Sequence, residues 1–455
     1  MDKIHAASAD DVDAAVDAAE AAFKKGPWAK FTPAQRAKCM NKFADLVEQH
    51  APELAEWESL SMGQPTALSV GVTTIIAQLY RYFASLAGKV PGEQLPADDG
   101  VFKIVSYHPI GVCAGVGPWN GSGGMFATKT APALAAGNTF VYKTSEKSPI
   151  GILQLGKLFA EAGFPPGVMN ILSGAGEPGG LLASHMKVRM ISFTGSTATG
   201  KKVQELAAQS NLKKVALELG GKSPALVFED ADFEVTMSAL TNGFLLNSGQ
   251  SCISSSRVYI QESVAPKYLQ ALKERYEGAK SLVGSPLDKK TMIGPVADRH
   301  QAQRILSFIE SGKKEAELLV GGHRIGGGDS NFIAPTIFIN PKDNAKVYRE
   351  EIFGPVMTIK TFKTEDEALE WANDSEFGLA GYVFTQDIGR ALRLSAALEA
   401  GIIGVNSNVD PWGDTPFGGF KQSGYGKESG HAGLMEYLQA KTIQIRVGAG
   451  SHWVE

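Results

Sequence analysis

Cys252 lies among small polar residues, in the run Asn247-Ser248-Gly249-Gln250-Ser251-Cys252-Ile253-Ser254-Ser255-Ser256-Arg257. Upstream, Glu218 is a lone carboxylate beside a Gly-Gly turn, in Leu217-Glu218-Leu219-Gly220-Gly221-Lys222-Ser223-Pro224. A thiol and a carboxylate of this kind suit a nucleophile and its general base. The thiol makes a covalent thioester, and the carboxylate activates the water that hydrolyses it. A free cysteine is more often just a small buried hydrophobe. On Cys252 alone that bland reading is the stronger one, and the rest of the chain turns the balance.

Two further segments suit a nucleotide. Ile191-Ser192-Phe193-Thr194-Gly195-Ser196-Thr197-Ala198-Thr199-Gly200-Lys201 follows a strand-like run and opens a helix. That places free backbone N–H groups and the positive end of a helix dipole where a pyrophosphate can rest. It is neither a GxGxxG fingerprint nor a Walker A loop, and alone it is a weak signal. Lys143-Thr144-Ser145-Glu146 ends another strand-like run and offers a donor and an acceptor for ribose hydroxyls. Taken in isolation, an exposed loop ion pair explains it better.

These residues need elements to position them. From Gly111 to Leu219, strand-like runs alternate with helical stretches. The strands are expected at Val112–Gly117, Thr139–Lys143, Val168–Leu172, Met190–Thr194 and Lys214–Leu219. The helices are expected at Met125–Ala136, Pro149–Ala162, Gly180–Met186 and Ala198–Ala208. Repeated strand-helix-strand units predict an α/β fold with a doubly wound, Rossmann-like parallel sheet. Ligands of such sheets sit at the carboxyl ends of the strands, where Pro118-Trp119-Asn120, Lys143–Glu146 and Gly195–Gly200 fall. Ahead of this region the chain reads as helical. Ser8 caps a helix with Val12, Val16, Ala19 and Phe23 on one face, Pro33 opens a second helix to about His50, and a third spans Thr66 to Leu86. Residues 221 to about 420 form a second alternating α/β region carrying Cys252.

Composition sets the outer bounds. The chain has 455 residues, 44% hydrophobic and 20% charged, which suits a globular protein of two or three domains. The net charge of −4 and the lack of any long Lys/Arg run argue against a nucleic-acid partner. No apolar run is long enough to span a bilayer, and the first residues lack a signal-peptide core. Cys39, Cys113 and Cys252 are too widely spaced for a disulfide framework or a zinc site. A reducing, cytoplasmic setting is expected, with no metal.

Taken together, the motifs resemble the aldehyde dehydrogenase superfamily over nearly the whole chain, from about Ser8 to Ile445. The matching segments are Gly117-Pro118-Trp119-Asn120, Pro132-Ala133-Leu134-Ala135-Ala136-Gly137-Asn138-Thr139, Phe193-Thr194-Gly195-Ser196, Glu218-Leu219-Gly220-Gly221-Lys222, Gly249-Gln250-Ser251-Cys252, Glu350-Glu351-Ile352-Phe353-Gly354-Pro355 and Pro416-Phe417-Gly418-Gly419-Phe420-Lys421-Gln422-Ser423-Gly424. The resemblance implies a non-acylating, NAD(P)-dependent enzyme. Cys252 attacks the aldehyde, and Asn120 with the Cys252 backbone N–H holds the oxyanion. The adduct expels hydride to the nicotinamide, and Glu218 activates water against the thioester. One oxyanion donor is typically worth about 2.7–4 kcal/mol of barrier. Lys143 and Glu146 match the pair that holds the adenosine ribose. An acid at Glu146 would repel a 2′-phosphate, which favours NAD over NADP. Ser196, with Gly195 and Gly200, would meet the pyrophosphate. Trp119, Leu219, Glu351 and Phe353 belong to the cofactor surface, with Glu351 gripping the nicotinamide ribose. Glu428 matches a carboxylate on a proton path from Glu218; a helix-surface charge is an equally good account of it.

The resemblance also implies a domain plan. Residues 1–90 and 110–220 form the NAD-binding domain and 221–420 the catalytic domain. A hairpin at 91–109 and a late strand at 437–447 form a bridging region through which subunits pair as a homodimer or homotetramer. Members usually carry a longer leader before the Ser8 helix, so subunit edges near the N-terminus are open. Substrate-tunnel positions depart from the family too. Asn120 is followed by Gly121-Ser122-Gly123-Gly124-Met125, and Thr128 stands where tryptophan is common. Gly121, Gly124, Met125 and Thr128 fall on positions that line the tunnel in the family, and the small residues among them should widen it, while Trp412, Asp410 and Asn408 could project into the same space. A bulky or aromatic aldehyde is the expectation, unless neighbouring loops fill the gap. Rival readings are transfer of the thioester to CoA, which the carboxylate at Glu218 disfavours, ester hydrolysis by the same thiol, and a non-catalytic nucleotide-binding scaffold.

Overall fold

The computed structural model describes residues 4–97 and 99–447. Its first sheet has six strands, in the order Gly424–Tyr425, Lys214–Glu218, Met190–Thr194, Val112–Val116, Thr139–Lys143 and Met169–Leu172. All pairs are parallel except the first, which is antiparallel. The earliest strand, Val112–Val116, lies between the second and the fourth in chain order. The winding direction reverses there, and the crevice opens at the carboxyl ends of Val112–Val116 and Met190–Thr194. The strands Val112–Val116, Thr139–Lys143 and Met190–Thr194 are buried throughout, because helices cover both faces.

A second sheet of seven strands carries the later half of the chain. Its order is Glu317–Val320, Thr336–Ile339, Val356–Phe362, Arg257–Gln261, Pro224–Val227, Ala380–Phe384 and Ile402–Val405, with only the first strand antiparallel. The α/β class and the doubly wound sheet agree with the sequence reading. A third, three-stranded antiparallel sheet joins Glu93–Leu95, Val101–Pro109 and Leu438–Arg446.

Helix signals were largely local. Ser8 closes a capping box with Asp11 at the start of Ala9–Lys24, and Thr32 does so with Gln35 ahead of Pro33–Gln49. The helix Thr66–Leu86 has the expected bounds. The helix Ala51–Met62 was not anticipated. It follows Pro33–Gln49 with no loop between them, starting with a proline in its first turn and ending at the left-handed Gly63 (φ 82°). The helix expected at Gly180–Met186 begins earlier, at Gly176, and the one expected at Met125 begins at Ser122. Small residues carry no apolar periodicity, so both starts were invisible.

The chain passes from the first sheet to the second between Glu218 and Pro224. At Gly221 an added Cβ would come 2.1 Å from the Cys252 carbonyl oxygen. Only a glycine allows this approach, so the crossing and the cysteine segment are packed backbone to backbone.

Candidate active site

Cys252 follows a tightly wound turn. Asn247 (φ 51°), Ser248 (φ 58°) and Gly249 (φ 69°) all take left-handed conformations, and two of the three are not glycine. Such strain persists only when surrounding bonds over-determine it. Here Ser248 Oγ donates to the Gly294 carbonyl at 2.7 Å, and Asn247 Nδ2 donates to the Asn120 carbonyl at 2.9 Å. Gln250 Nε2 donates to the Asn247 carbonyl, while its Oε1 accepts from Ala297 N–H. Beyond the cysteine, Tyr382 Oη donates to the Ile253 carbonyl at 2.6 Å.

Asn120 comes to this turn from the end of strand Val112–Val116. Its Nδ2 donates to the Gln250 carbonyl at 3.1 Å. One amide hydrogen is used there, which orients the group and leaves the second free. Glu218 ends strand Lys214–Glu218 and is 4% exposed; its Oε2 has no hydrogen-bond partner among the described residues. Burial raises its pKa well above the ordinary carboxylate value, and the Glu428 carboxylate pushes the same way against Lys129 and Lys427. Burial likewise pushes the Cys252 thiol far up. The carboxylates of Glu351 and Glu218 add to this, while the backbone N–H groups of Cys252 and Ile253 oppose it. Burial thus opposes negative charge on both groups.

Glu428 is buried, not a charge on a helix surface. It accepts from Thr128 Oγ1 at 2.7 Å, from Ser192 Oγ at 3.2 Å and from the fully buried Lys129 ammonium. Lys129 also donates to Ser192 Oγ (2.9 Å) and Thr194 Oγ1 (2.7 Å). Thr194 pairs in register with Glu218 and lines the same cavity as Cys252. Sequence reasoning missed Lys129. The available signal was a lysine inside the otherwise uncharged helix Ser122–Ala136, a placement that demands a buried partner.

The nucleotide candidates separate into groups. Ser196 caps the helix Thr197–Gln209, and Ser196, Thr197 and Ala198 line an open cleft of about 930 Å3. Glu351, Arg304 and Arg349, from the second α/β region, line it too. Gly200 lets that helix rest on Leu219, whose side chain would be 2.6 Å from an added Cβ. Gly195 donates its N–H to the Glu218 carbonyl at 3.0 Å. Glu351 Oε1 accepts from Gly221 N–H at 2.8 Å, and burial pushes its pKa up to about 7 against that bond and Lys222. Phe353 (φ 59°) packs edge-on to Trp119, with ring centroids 5.3 Å apart. Lys143 and Glu146 lie at a different strand end, outside the residues lining that cleft. Lys143 Nζ donates to the carbonyls of Gly174 and Ala175, both at 2.9 Å, and lies 3.9 Å from the exposed Glu146 carboxylate. A helix N-terminus and an ammonium as donors, with carboxylates as acceptors for ribose hydroxyls, are the groups a dinucleotide needs, and the residues present fit one. Arg304, which donates to the Glu351 carbonyl at 2.8 Å, was not picked out from the sequence.

A cavity of about 280 Å3 opens at Cys252. Asn120, Gly121, Met125, Asn408, Asp410, Trp412 and Phe417 are among its walls. Two tunnel expectations are corrected. Thr128 is fully buried and bonded to Glu428, away from the cavity, because its short hydroxyl reaches inward. Gly124 does not line the cavity either. An added Cβ would come 2.5 Å from the Trp412 indole, so its small size makes room for Trp412 and not for substrate.

Comparison with known proteins agrees with this geometry. The sequence profile of the Aldehyde dehydrogenase family matches residues 1–443. Retinal dehydrogenase 2 of Gallus gallus is 44% identical over 441 residues, covering 96% of this chain and 85% of the relative. An aldehyde dehydrogenase of Davidiella tassiana is 43% identical over 447 residues, covering 98% and 90%. Among solved structures, the NAD+ complex of an aldehyde dehydrogenase from Bacillus cereus superposes with a TM-score of 0.95 at 37% identity, covering 97% of this chain and 90% of that one.

The raised thiol pKa has a direct readout. Without nucleotide, alkylation of Cys252 by iodoacetamide should be slow at neutral pH and still rising above pH 9, where an ordinary thiol of pKa about 8.5 is levelling off. A rate that plateaus below about pH 8 would contradict the desolvated thiol.

Proposed function

The chain belongs to the aldehyde dehydrogenase family, and from that footing we propose that it oxidises a bulky or aromatic aldehyde to the carboxylic acid with NAD. One observation carries the reading. Cys252 and Asn120, with one amide hydrogen to spare, line a cavity of about 280 Å3, and the buried Glu218 carboxyl lies near enough to the thiol to raise its pKa. That volume lies just below the usual range for drug-sized ligands, about 300–1,000 Å3, and is far more than a two-carbon aldehyde requires.

In the proposed reaction Cys252 Sγ, once deprotonated, adds to the aldehyde carbon. The C–S bond forms as the carbonyl electron pair moves to oxygen, and Asn120 Nδ2 with the Cys252 backbone N–H stabilises that oxyanion. The C–H bond then breaks with its electron pair, leaving a thioester. NAD supplies the hydride acceptor for this step. Glu218, after losing its own proton, takes one from water as that water attacks. The C–S bond breaks, and the carboxylic acid leaves with the thiolate regenerated. The aldehyde is oxidised by two electrons, the nucleotide is reduced by two, and one water is consumed.

The cofactor residues keep the assigned parts: Ser196 and its helix N-terminus for the pyrophosphate, Lys143 and Glu146 for the adenosine ribose, Glu351 for the second ribose, and Trp119 and Phe353 beside the ring. Glu146 supports NAD over NADP, since a 2′-phosphate would meet like charge. Glu428, with Lys129, is proposed as the route by which the Glu218 proton leaves. In the proposed domain plan, 1–90 with 110–220 bind nucleotide, 221–420 carry the nucleophile, and 91–109 with 437–447 bridge.

Strand Leu438–Arg446 is an outer strand of its sheet, with Ile443 and Ile445 exposed, which supports pairing of subunits through that edge. No helix among the described residues is long and apolar enough to cross a membrane. A cytoplasmic location is part of the proposal, resting on three free thiols that a reducing compartment preserves. Sedimentation should give twice or four times the 48.3 kDa chain mass; a monomer would remove the pairing.

NADH formation from NAD and a panel of aldehydes tests the reaction. Activity should vanish in Cys252→Ala, and kcat/KM should favour bulky aromatic aldehydes over acetaldehyde by about tenfold or more. The reverse preference would sink the bulky substrate, and full activity in the variant would sink the covalent route.

A further inference from the structure

Gln64 takes no part in the chemistry above, yet it shares the cavity of Cys252. It is 3% exposed and is one of the cavity's wall residues. It sits between the helices Ala51–Met62 and Thr66–Leu86, in a segment held firmly against the second α/β region. Thr66 donates both its N–H and its Oγ1 hydroxyl to the Pro286 carbonyl, each at 2.9 Å. Gly294 approaches so closely that an added Cβ would lie 2.0 Å from the Gly63 carbonyl oxygen.

The amide of Gln64 is held at one end only. Ser69 Oγ donates to its Oε1 at 2.9 Å, and Ser59 Oγ lies 3.2 Å from Ser69 Oγ. The hydroxyl chain takes the carbonyl end of the amide and turns the NH2 end away from it. Nε2 has no hydrogen-bond partner among the described residues. Nε2 is not among the fully buried unpaired atoms, so it keeps contact with the open cavity, and a bulky ligand that sealed it off without an acceptor would leave a desolvated donor unpaired. Leu68 and Val72 of the following helix line the cavity with Gln64, as do Trp412, Phe417 and Ile253, beside polar groups such as Asn120 and Asn408. Asp410 is the one carboxyl side chain in the lining, and its Oδ1 already accepts from the Trp412 backbone N–H at 3.0 Å.

We infer that Gln64 is a specificity-determining residue whose Nε2 donates to an oxygen of the bound aldehyde away from the reacting carbonyl. The substrate class is then a bulky aldehyde whose body carries a hydroxyl, alkoxy or second carbonyl oxygen, in place of a pure hydrocarbon. This rests on the proposed oxidation at Cys252. A site built around such a donor discriminates against the analogue that lacks the acceptor, because the donor is then buried unpaired.

The test uses pairs of benzaldehydes that differ only in methoxy against ethyl, at the 3- and 4-positions, in mildly alkaline buffer. The wild-type enzyme should prefer the methoxy member of at least one pair by about tenfold or more in kcat/KM. Gln64→Met should bring that ratio close to one. Gln64→Glu, which keeps an acceptor for Ser69 but loses the donor, should do the same, so a folding defect in one variant leaves the other to decide. Because the readout is a ratio within one protein, a general loss of activity cancels. Equal use of both members by the wild type, or a preference that survives in both variants, overturns the inference. If the wild type oxidises no aldehyde at all, the oxidation at Cys252 falls first and takes the role of Gln64 with it.

Discussion

The contact between Gly221 and the Cys252 carbonyl is the constraint on which the site depends. Within six residues the chain leaves one sheet at Glu218 and enters the other at Pro224. A side chain at Gly221 would collide with the cysteine segment at 2.1 Å. The crossing therefore fixes the position of Cys252 from behind while its first residue supplies the carboxyl group. Glu351 closes the same crossing from the cleft side by accepting from Gly221 N–H. Thiol, carboxyl and cleft carboxylate are thus set by one stretch of backbone and not by three independent loops.

This arrangement concentrates acids around a thiol. Glu218, Glu351 and Cys252 all have their neutral forms favoured, chiefly by loss of water, and the two carboxylates push the thiol further the same way. The buried amine of Lys129 is committed to Glu428, Ser192 and Thr194, so it tempers Glu218 without neutralising the crossing. Negative charge on either the Cys252 thiol or the Glu218 carboxyl is costly in this setting. Such perturbed groups cluster at functional sites. The strained turn at Asn247–Gly249 is held by bonds to the Asn120 and Gly294 carbonyls, which tie Asn120 and Cys252 to one frame.

Much of this was legible in the residues, for identifiable reasons. Thr139–Lys143 and Met190–Thr194 have the bounds expected, since fully buried parallel strands are short apolar runs between polar or glycine-bearing breaks. Cys252, Glu218 and Asn120 were readable because residue type and local motif coincide. Pairings across the fold were not readable. Thr128 suggested a widened tunnel, and only the three-dimensional packing turns it toward Glu428. Gly124 likewise reads as empty space until Trp412, from a loop nearly three hundred positions later, is seen to fill it. Lys129 and Gln64 belong to no obvious motif. Their meaning lies in what they bond to, or fail to bond to, once buried.

The central claim is that Cys252 carries an oxidised acyl group which Glu218 removes. The most direct measurement is the intact mass of Glu218→Gln after mixing with NAD and an aromatic aldehyde, followed by peptide mapping. The account predicts a net mass gain equal to the aldehyde less two hydrogens, located on the Cys252 peptide, together with a single turnover of NADH. An unmodified thiol with continued turnover, or an adduct on a different residue, would contradict it.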